Sequence, residues 1–279
     1  MKLPFIKMHG ISNDYIYVNA FTSQVPNPAA VAQKVSDRRT SIGGDGLILI
    51  CPSTTAHARM EMYNADGSRG EMCGNGIRCV GKYMYDHGLV RTNPLKVDTD
   101  AGLKTLFLEL DNGKVARVTV DMGEPILDGP RIPAAAAGQI INQPLTVDGK
   151  SYQVTCVSMG NPHCVTFVDA IEPLELEKIG PRFEHHPFFP KRVNTEFIQV
   201  VNPTELNMRV WERGSGETWA CGTGACAAAV AAILNRKAGR RVTIHLRGGD
   251  LEIEWRTEDN HVYMTGPAEE VFEGTIEIS

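Results

Sequence analysis

No stretch of 18 apolar residues occurs anywhere in the 279-residue sequence, which excludes an ordinary membrane-spanning helix. Basic runs are scarce too: the formal charge is -5, and basic residues gather in short pairs such as Arg38-Arg39, Arg236-Lys237 and Arg240-Arg241. That is too little for a general nucleic-acid footprint, so a small-molecule ligand is expected, with neither nucleic acid nor membrane as partner. The first residues, Met1 to Lys7, contain no long apolar segment of a secretory signal, and a cytoplasmic protein is expected. The seven cysteines, an odd number in a chain long enough to fold without staples, argue against a disulfide framework. What remains is ordinary for a globular protein, with 42% apolar and 22% charged residues, and the length favours two domains.

The sequence repeats itself. Cys73-Gly74-Asn75-Gly76 and Cys221-Gly222-Thr223-Gly224 share the pattern C-G-x-G, 148 positions apart (221 less 73). The same shift carries Arg59 to Asn64 onto Asn207 to Glu212, two alternating segments that read as strands and end aromatic-polar. It carries Asn13 onto Asn161, each ahead of a β-rich run, and Gly46, ahead of Leu47 to Ile50, onto Asn194, ahead of Thr195 to Ile198. Four landmarks in one register indicate a duplicated domain.

Within each half, alternating strands lead to a helix just after C-G-x-G. Ile77 to His87 has Gly81 as its only breaker, and Ala225 to Lys237 is alanine-rich. Asp111-Asn112-Gly113, Asp148-Gly149 and Gly248-Gly249 are hairpin turn signals. The expected fold is α/β (α+β): two pseudo-symmetric domains, each a mixed or antiparallel sheet wrapped around a central helix. A boundary near Met122-Gly123-Glu124-Pro125 gives domains 1–122 and 123–267, with a last strand in 268–279, around Val271 to Ile278, returning to the first.

The two C-G-x-G motifs suggest chemistry. Each sets a thiol immediately before a helix, where unpaired N–H groups and the positive dipole end favour an anion. Lowering a thiol pKa from about 8.5 to about 7 favours the thiolate by roughly 2 kcal/mol and makes it a base near neutral pH. The glycines let main-chain amides approach a carboxylate closely. Two such thiols facing one carbon from opposite sides would invert it: one removes a proton while the other supplies one. Carboxylate-binding amides would also stabilise the developing carbanion. Cys51, Cys79, Cys156, Cys164 and Cys226 read as inert core cysteines. A metal site built from Cys73, Cys79, Cys221 and Cys226 would have C-x5-C and C-x4-C spacing, looser than zinc sites favour.

Cys73-Gly74-Asn75-Gly76-Ile77-Arg78-Cys79, and Glu212-Arg213-Gly214 leading to Ala220-Cys221-Gly222-Thr223-Gly224, resemble the two signatures of the diaminopimelate epimerase family. Supporting segments span nearly the whole chain: Asn13-Asp14, Gly43-Gly44-Asp45-Gly46, Tyr63-Asn64-Ala65-Asp66-Gly67, Gly160-Asn161-Pro162-His163, Val193-Asn194-Thr195-Glu196 and Gly266-Pro267-Ala268. The resemblance implies conversion of LL-diaminopimelate to the meso form, for lysine and peptidoglycan precursors, by a homodimer using no cofactor and no metal. It implies Cys73 as proton acceptor and Cys221 as donor, with roles exchanged in reverse, and a pair matching His163 and Glu212 that tunes thiol protonation. It further implies that the amides of Gly74, Asn75, Gly222 and Thr223 hold the reacting carboxylate. Asn13, Asn64, Asn161, Asn194, Glu212 and Arg213 would take the remaining ammonium and carboxylate groups.

Asparagine suits such a dipolar substrate by both donating and accepting, Arg213 can fork onto a carboxylate, and Glu212 suits an ammonium. Arg78 reads as a helix-face charge and Glu217 as a carboxylate complementing the helix dipole. Departures from the family pattern are Gly46 where many members have Gln, Ser12 where Gly is frequent, and Phe272 where Tyr often lies at the dimer interface. The rival readings are a proline or hydroxyproline racemase of the same superfamily and, from another class, a thiol redox or metal-binding protein.

Overall fold

The computed structural model describes residues 1–278 and divides into two compact units, Met1–Val120 with the segment from Thr265 onward, and Asp121–Met264. In the first unit the elements are β1 (Lys2–Gly10), β2 (Asn13–Asn19), α1 (Pro28–Ser36), β3 (Gly46–Cys51), β4 (Ala58–Asn64), β5 (Arg69–Gly70), α2 (Gly74–Asp86), β6 (Leu95–Asp98), β7 (Lys104–Asp111) and β8 (Lys114–Gly123). The second contains β9 (Gln143–Val147), β10 (Lys150–Ser158), β11 (Pro162–Phe167), α3 (Leu176–Glu184), β12 (Asn194–Asn202), β13 (Glu205–Glu212), β14 (Gly216–Thr218), α4 (Gly222–Leu234), β15 (Arg241–Leu246), β16 (Gly249–Trp255) and β17 (Val262–Pro267). A last strand, β18 (Glu269–Glu277), belongs to the first unit.

The 148-residue shift maps structure onto structure. It carries α1 onto α3 and α2 onto α4 residue for residue. It also preserves strand register: Tyr15 pairs Gly46 across parallel β2 and β3, and His163 pairs Asn194 across parallel β11 and β12. Tyr63 pairs Arg69 as Trp211 pairs Glu217. In both units an antiparallel hairpin, a parallel step and another antiparallel pair follow one another, so the sheets are mixed, as the sequence led us to expect. The three turn signals each close a hairpin, with Asn112, Gly113, Asp148 and Gly149 at positive φ. One further correspondence crosses the order of the chain: β18 runs antiparallel to β1 as β9 runs antiparallel to β10.

Both faces of the central strands are covered, which explains their unbroken apolar runs. In the first unit Leu47 and Leu49 of β3 join Val31, Ala32 and Val35 of α1 in one cluster. Ile48, of opposite parity, reaches toward Gly76 of α2. In the second unit Leu176 and Phe183 of α3 pack with Phe197 and Trp211. Helix α4, GTGACAAAVAAIL, is apolar on every side and buried over most of its length, as a helix enclosed by its sheet must be.

Two features differ from the sequence expectation. Helices α2 and α4 begin at Gly74 and Gly222, so the C-G-x-G glycines form the first turn instead of preceding it. Glycine costs little there, because the first N–H groups have no intrahelical partner, and Gly76 is needed where Ile48 approaches. Helices α1 and α3 were not anticipated. Each has only nine residues; α1 starts with Pro28 behind an Asn27 cap, and α3 contains Pro181, a residue that ordinarily breaks a helix.

Candidate functional site

Each unit presents a thiol as the N-cap of its central helix. In the first, Cys73 has extended backbone and its sulfur accepts the Gly76 N–H at 3.3 Å. The β1–β2 hairpin sets Asn13 beside it, with Asn13 Oδ1 3.1 Å from Cys73 Sγ. The Asn13 amide nitrogen donates to Asp45 Oδ2 at 2.7 Å. A carboxylate can only accept when ionised, so this bond fixes the amide orientation and turns the carbonyl oxygen to the sulfur. Asn75, nearly buried, accepts from Arg78 Nη1 at 2.9 Å and donates to Asn13 Oδ1 at 3.5 Å. Asn64 closes the Asn64 to Ser68 turn through a 2.9 Å bond to Ser68 Oγ.

Arg78 is no helix-face charge: it is fully buried and donates to Gly74 O, Asn75 Oδ1 and Pro267 O. Its guanidinium thus ties down the first turn of α2.

In the second unit, Cys221 caps α4 with Thr223 Oγ1 at 3.7 Å. His163 is fully buried, with Nδ1 2.7 Å from Glu196 Oε1 and Nε2 2.9 Å from Asn161 Oδ1. The carboxyl partner of His163 is therefore Glu196, whereas Glu212 accepts from the Thr218 hydroxyl. Glu196 was legible only as part of the Val193-Asn194-Thr195-Glu196 segment. Asn194, also buried, donates to Pro162 O and accepts the Arg213 N–H, each at 2.9 Å. Arg213 Nη1 donates to Lys191 O. Glu217 chelates Arg209 and also pairs with Arg247, contacts that hold its carboxyl below the usual range.

The thiol electrostatics also correct the sequence reading. Burial pushes the Cys221 thiol well up, and the carboxyl groups of Glu212 and Glu196 push it further. The Gly224 N–H and Thr223 hydroxyl pull it down by less. A helix start lowers a thiol pKa only if desolvation and neighbouring carboxylates do not outweigh it. Burial and acidic neighbours thus favour the protonated form of Cys221. Burial likewise raises Cys51 and Cys79 to about 11, which suits inert roles. Phe272 lies on β18, half-exposed, edge-on to Phe5 at 5.9 Å between ring centroids. Among the described residues no group of three or more His, Cys, Asp or Glu side chains is disposed to hold a metal ion.

Comparison with solved structures gives the class of fold. The hydroxyproline epimerase from Agrobacterium vitis matches with a TM-score of 0.67 at 14% identity, over 99% of this chain and 91% of that one. Sequence similarity is far closer elsewhere. The diaminopimelate epimerase of Acetivibrio thermocellus is 56% identical over 99% of both chains, and that of Agathobacter rectalis is 55% identical over 99% of this chain and 100% of its own. The family model for diaminopimelate epimerase matches residues 5–127 and 155–271. The chain belongs to the diaminopimelate epimerase family, and it is an isomerase.

Proposed function

We propose that this protein interconverts LL- and meso-diaminopimelate by a two-base mechanism. In the LL to meso direction, Cys73 as thiolate removes the α-proton and the Cys221 thiol protonates the opposite face; the reverse reaction exchanges the roles. The supporting observation is that each half carries a repeat-related N-cap thiol, Cys73 or Cys221, in a chain at least half identical to diaminopimelate epimerases over nearly its whole length. Main-chain N–H groups of Gly74, Asn75, Gly222 and Thr223 stand in first helical turns, where they have no intrahelical acceptors, and take the reacting carboxylate. The charge that builds on that carboxylate as the proton leaves is what these amides stabilise.

The rest of the substrate is held by groups that differ between the halves. Asn161 has its oxygen committed to His163 and so offers its amide N–H groups to a carboxylate. Asn13 and Asn64 add polar contacts, Glu212 takes an ammonium, and Arg213, anchored through Asn194, takes a carboxylate. His163 and Glu212 adjust the proton balance near Cys221. The enzyme works in the cytoplasm as a homodimer whose interface includes Phe272, on the evidence of family resemblance.

The test is incubation of pure protein with LL-diaminopimelate, and separately with proline, in D2O without added cofactor. The expected result is conversion of diaminopimelate alone, with solvent deuterium in the first inverted product and little in remaining substrate. Cys73→Ala and Cys221→Ala should each lose at least about a hundredfold in rate, the scale of a missing general acid or base. Full activity in either variant, or rapid labelling without inversion, would overturn the mechanism.

A further inference from the structure

The two thiols are related by the repeat, but what lies beneath them is not. Gly76 and Gly224 occupy the same repeat position, three residues after each cysteine. A Cβ placed on Gly224 would lie 2.7 Å from Glu196 Oε1 and 3.1 Å from Cys221 Sγ, so both the carboxyl group and the sulfur border the bare glycine. A Cβ on Gly76 would meet Ile48 Cδ1 at 2.6 Å and Cys73 Cβ at 3.4 Å. Ile48 is the repeat counterpart of Glu196, and Tyr15 that of His163. One half therefore sets a methyl group under the helix start, and the other a fully buried carboxyl group.

The carboxyl group is held by a chain of bonds. Nε2 of His163 faces Asn161 Oδ1, an acceptor, so it carries a hydrogen. Nδ1, on the other side of the ring, lies 2.7 Å from Glu196 Oε1 and clamps the carboxyl group in place. Glu196 Oε2 is buried without a hydrogen-bond partner among the described residues, a costly arrangement for a bare carboxylate. Burial accordingly pushes the Glu196 carboxyl up, against the downward pull of His163. A negative charge formed on Cys221 would face carboxyl oxygens of Glu196 on β12 and of Glu212 on β13, opposed by the Gly224 N–H and the Thr223 hydroxyl.

We infer that Glu196 is a positioning residue for the second thiol: clamped by His163 under Gly224, its carboxyl group keeps Cys221 protonated between turnovers and so makes it the donor for the LL substrate. The inference rests on the two-base reading above, yet can be tested without substrate. Glu196→Gln retains the side-chain shape and a hydrogen bond to His163, whereas Glu196→Ile installs the residue of the other half.

The experiment follows alkylation of each cysteine by iodoacetamide against pH, using mass spectrometry of the separate peptides, on variants whose folding is checked by thermal melting. In the parent, Cys221 should react only in alkaline solution. In Glu196→Gln its profile should move about one pH unit lower, as expected for removal of a neighbouring acidic group, and Glu196→Ile should move it the same way. The Cys73 profile should stay in place. An unchanged Cys221 profile in the folded Gln variant, or equal shifts at both cysteines, would overturn the inference. Failure of the parent to epimerise diaminopimelate would instead overturn the proposed function, leaving the alkylation result standing.

Discussion

Asn13 and Asp45 form a 2.7 Å hydrogen bond that fixes which end of the Asn13 amide faces Cys73. Asn161 is fixed the other way: its oxygen is engaged by His163. Repeat-related asparagines thus present opposite polarity, a carbonyl to the thiol in one half and an amide N–H pair in the other.

Replacing Asn13 with Leu removes the acceptor facing the Cys73 sulfur. A neutral hydrogen bond contributes about 1 kcal/mol, so kcat/KM should fall by roughly fivefold with little change in melting temperature. Asp45→Ala, which frees the amide to turn, should reproduce part of that loss. Steady-state rates beside thermal melts decide this; wild-type kinetics in Asn13→Leu would deny the contact any role.

Gly76 and Gly224 offer a matched pair of substitutions. In Gly76→Ala the added methyl meets the tip of Ile48, which can rotate away, at an overpacking cost of about 1 kcal/mol and with activity kept within a few-fold. In Gly224→Ala it meets a carboxyl oxygen locked to His163 and the Cys221 sulfur, so activity should fall at least about tenfold for a similar stability cost. Urea titrations and kcat for both variants provide the comparison, and equal activity losses would contradict it.

Glu184 supplies a pH-dependent prediction. Burial raises its carboxyl, but hydrogen bonds from Trp211 Nε1, Gly214 N and Arg192 outweigh that effect and hold it below the ordinary value. A depressed folded-state value stabilises the protein above the unfolded-state pKa, about 4.3, and the contribution disappears as pH falls through the folded value. Glu184→Gln should therefore cost about 2 kcal/mol near neutrality, with the difference narrowing in acid. Because Glu184 holds Gly214, next to Arg213, KM should also rise. Urea unfolding midpoints from neutral to acid pH measure the first effect, and a gap that stays constant would refute it.

The duplication was readable because no residue is inserted or lost between Asn13 and Asp86 relative to Asn161 and Leu234, so one offset aligned motifs and strands alike. The thiols and asparagines were readable for the same reason. Glu196 was not, since a single acid in an alternating strand looks solvent-facing until a helix is known to cover it. Arg78 misled similarly: its partner at Pro267 lies 189 positions away in sequence. At Cys221 the dipole of one helix is outweighed by burial and by carboxyl groups from two strands, which only the packed structure brings together.

The returning β18 has a consequence for biosynthesis. The second unit is one continuous stretch of chain, but the first cannot pair β1 with β18, or join Met1 to Ile278, until the last residues have been made. At ribosomal speeds of about 5–20 residues per second, the N-terminal half waits on the order of ten seconds with an unpaired strand edge. The half translated first is thus finished last, and until then its β1 edge is open to pairing with another chain.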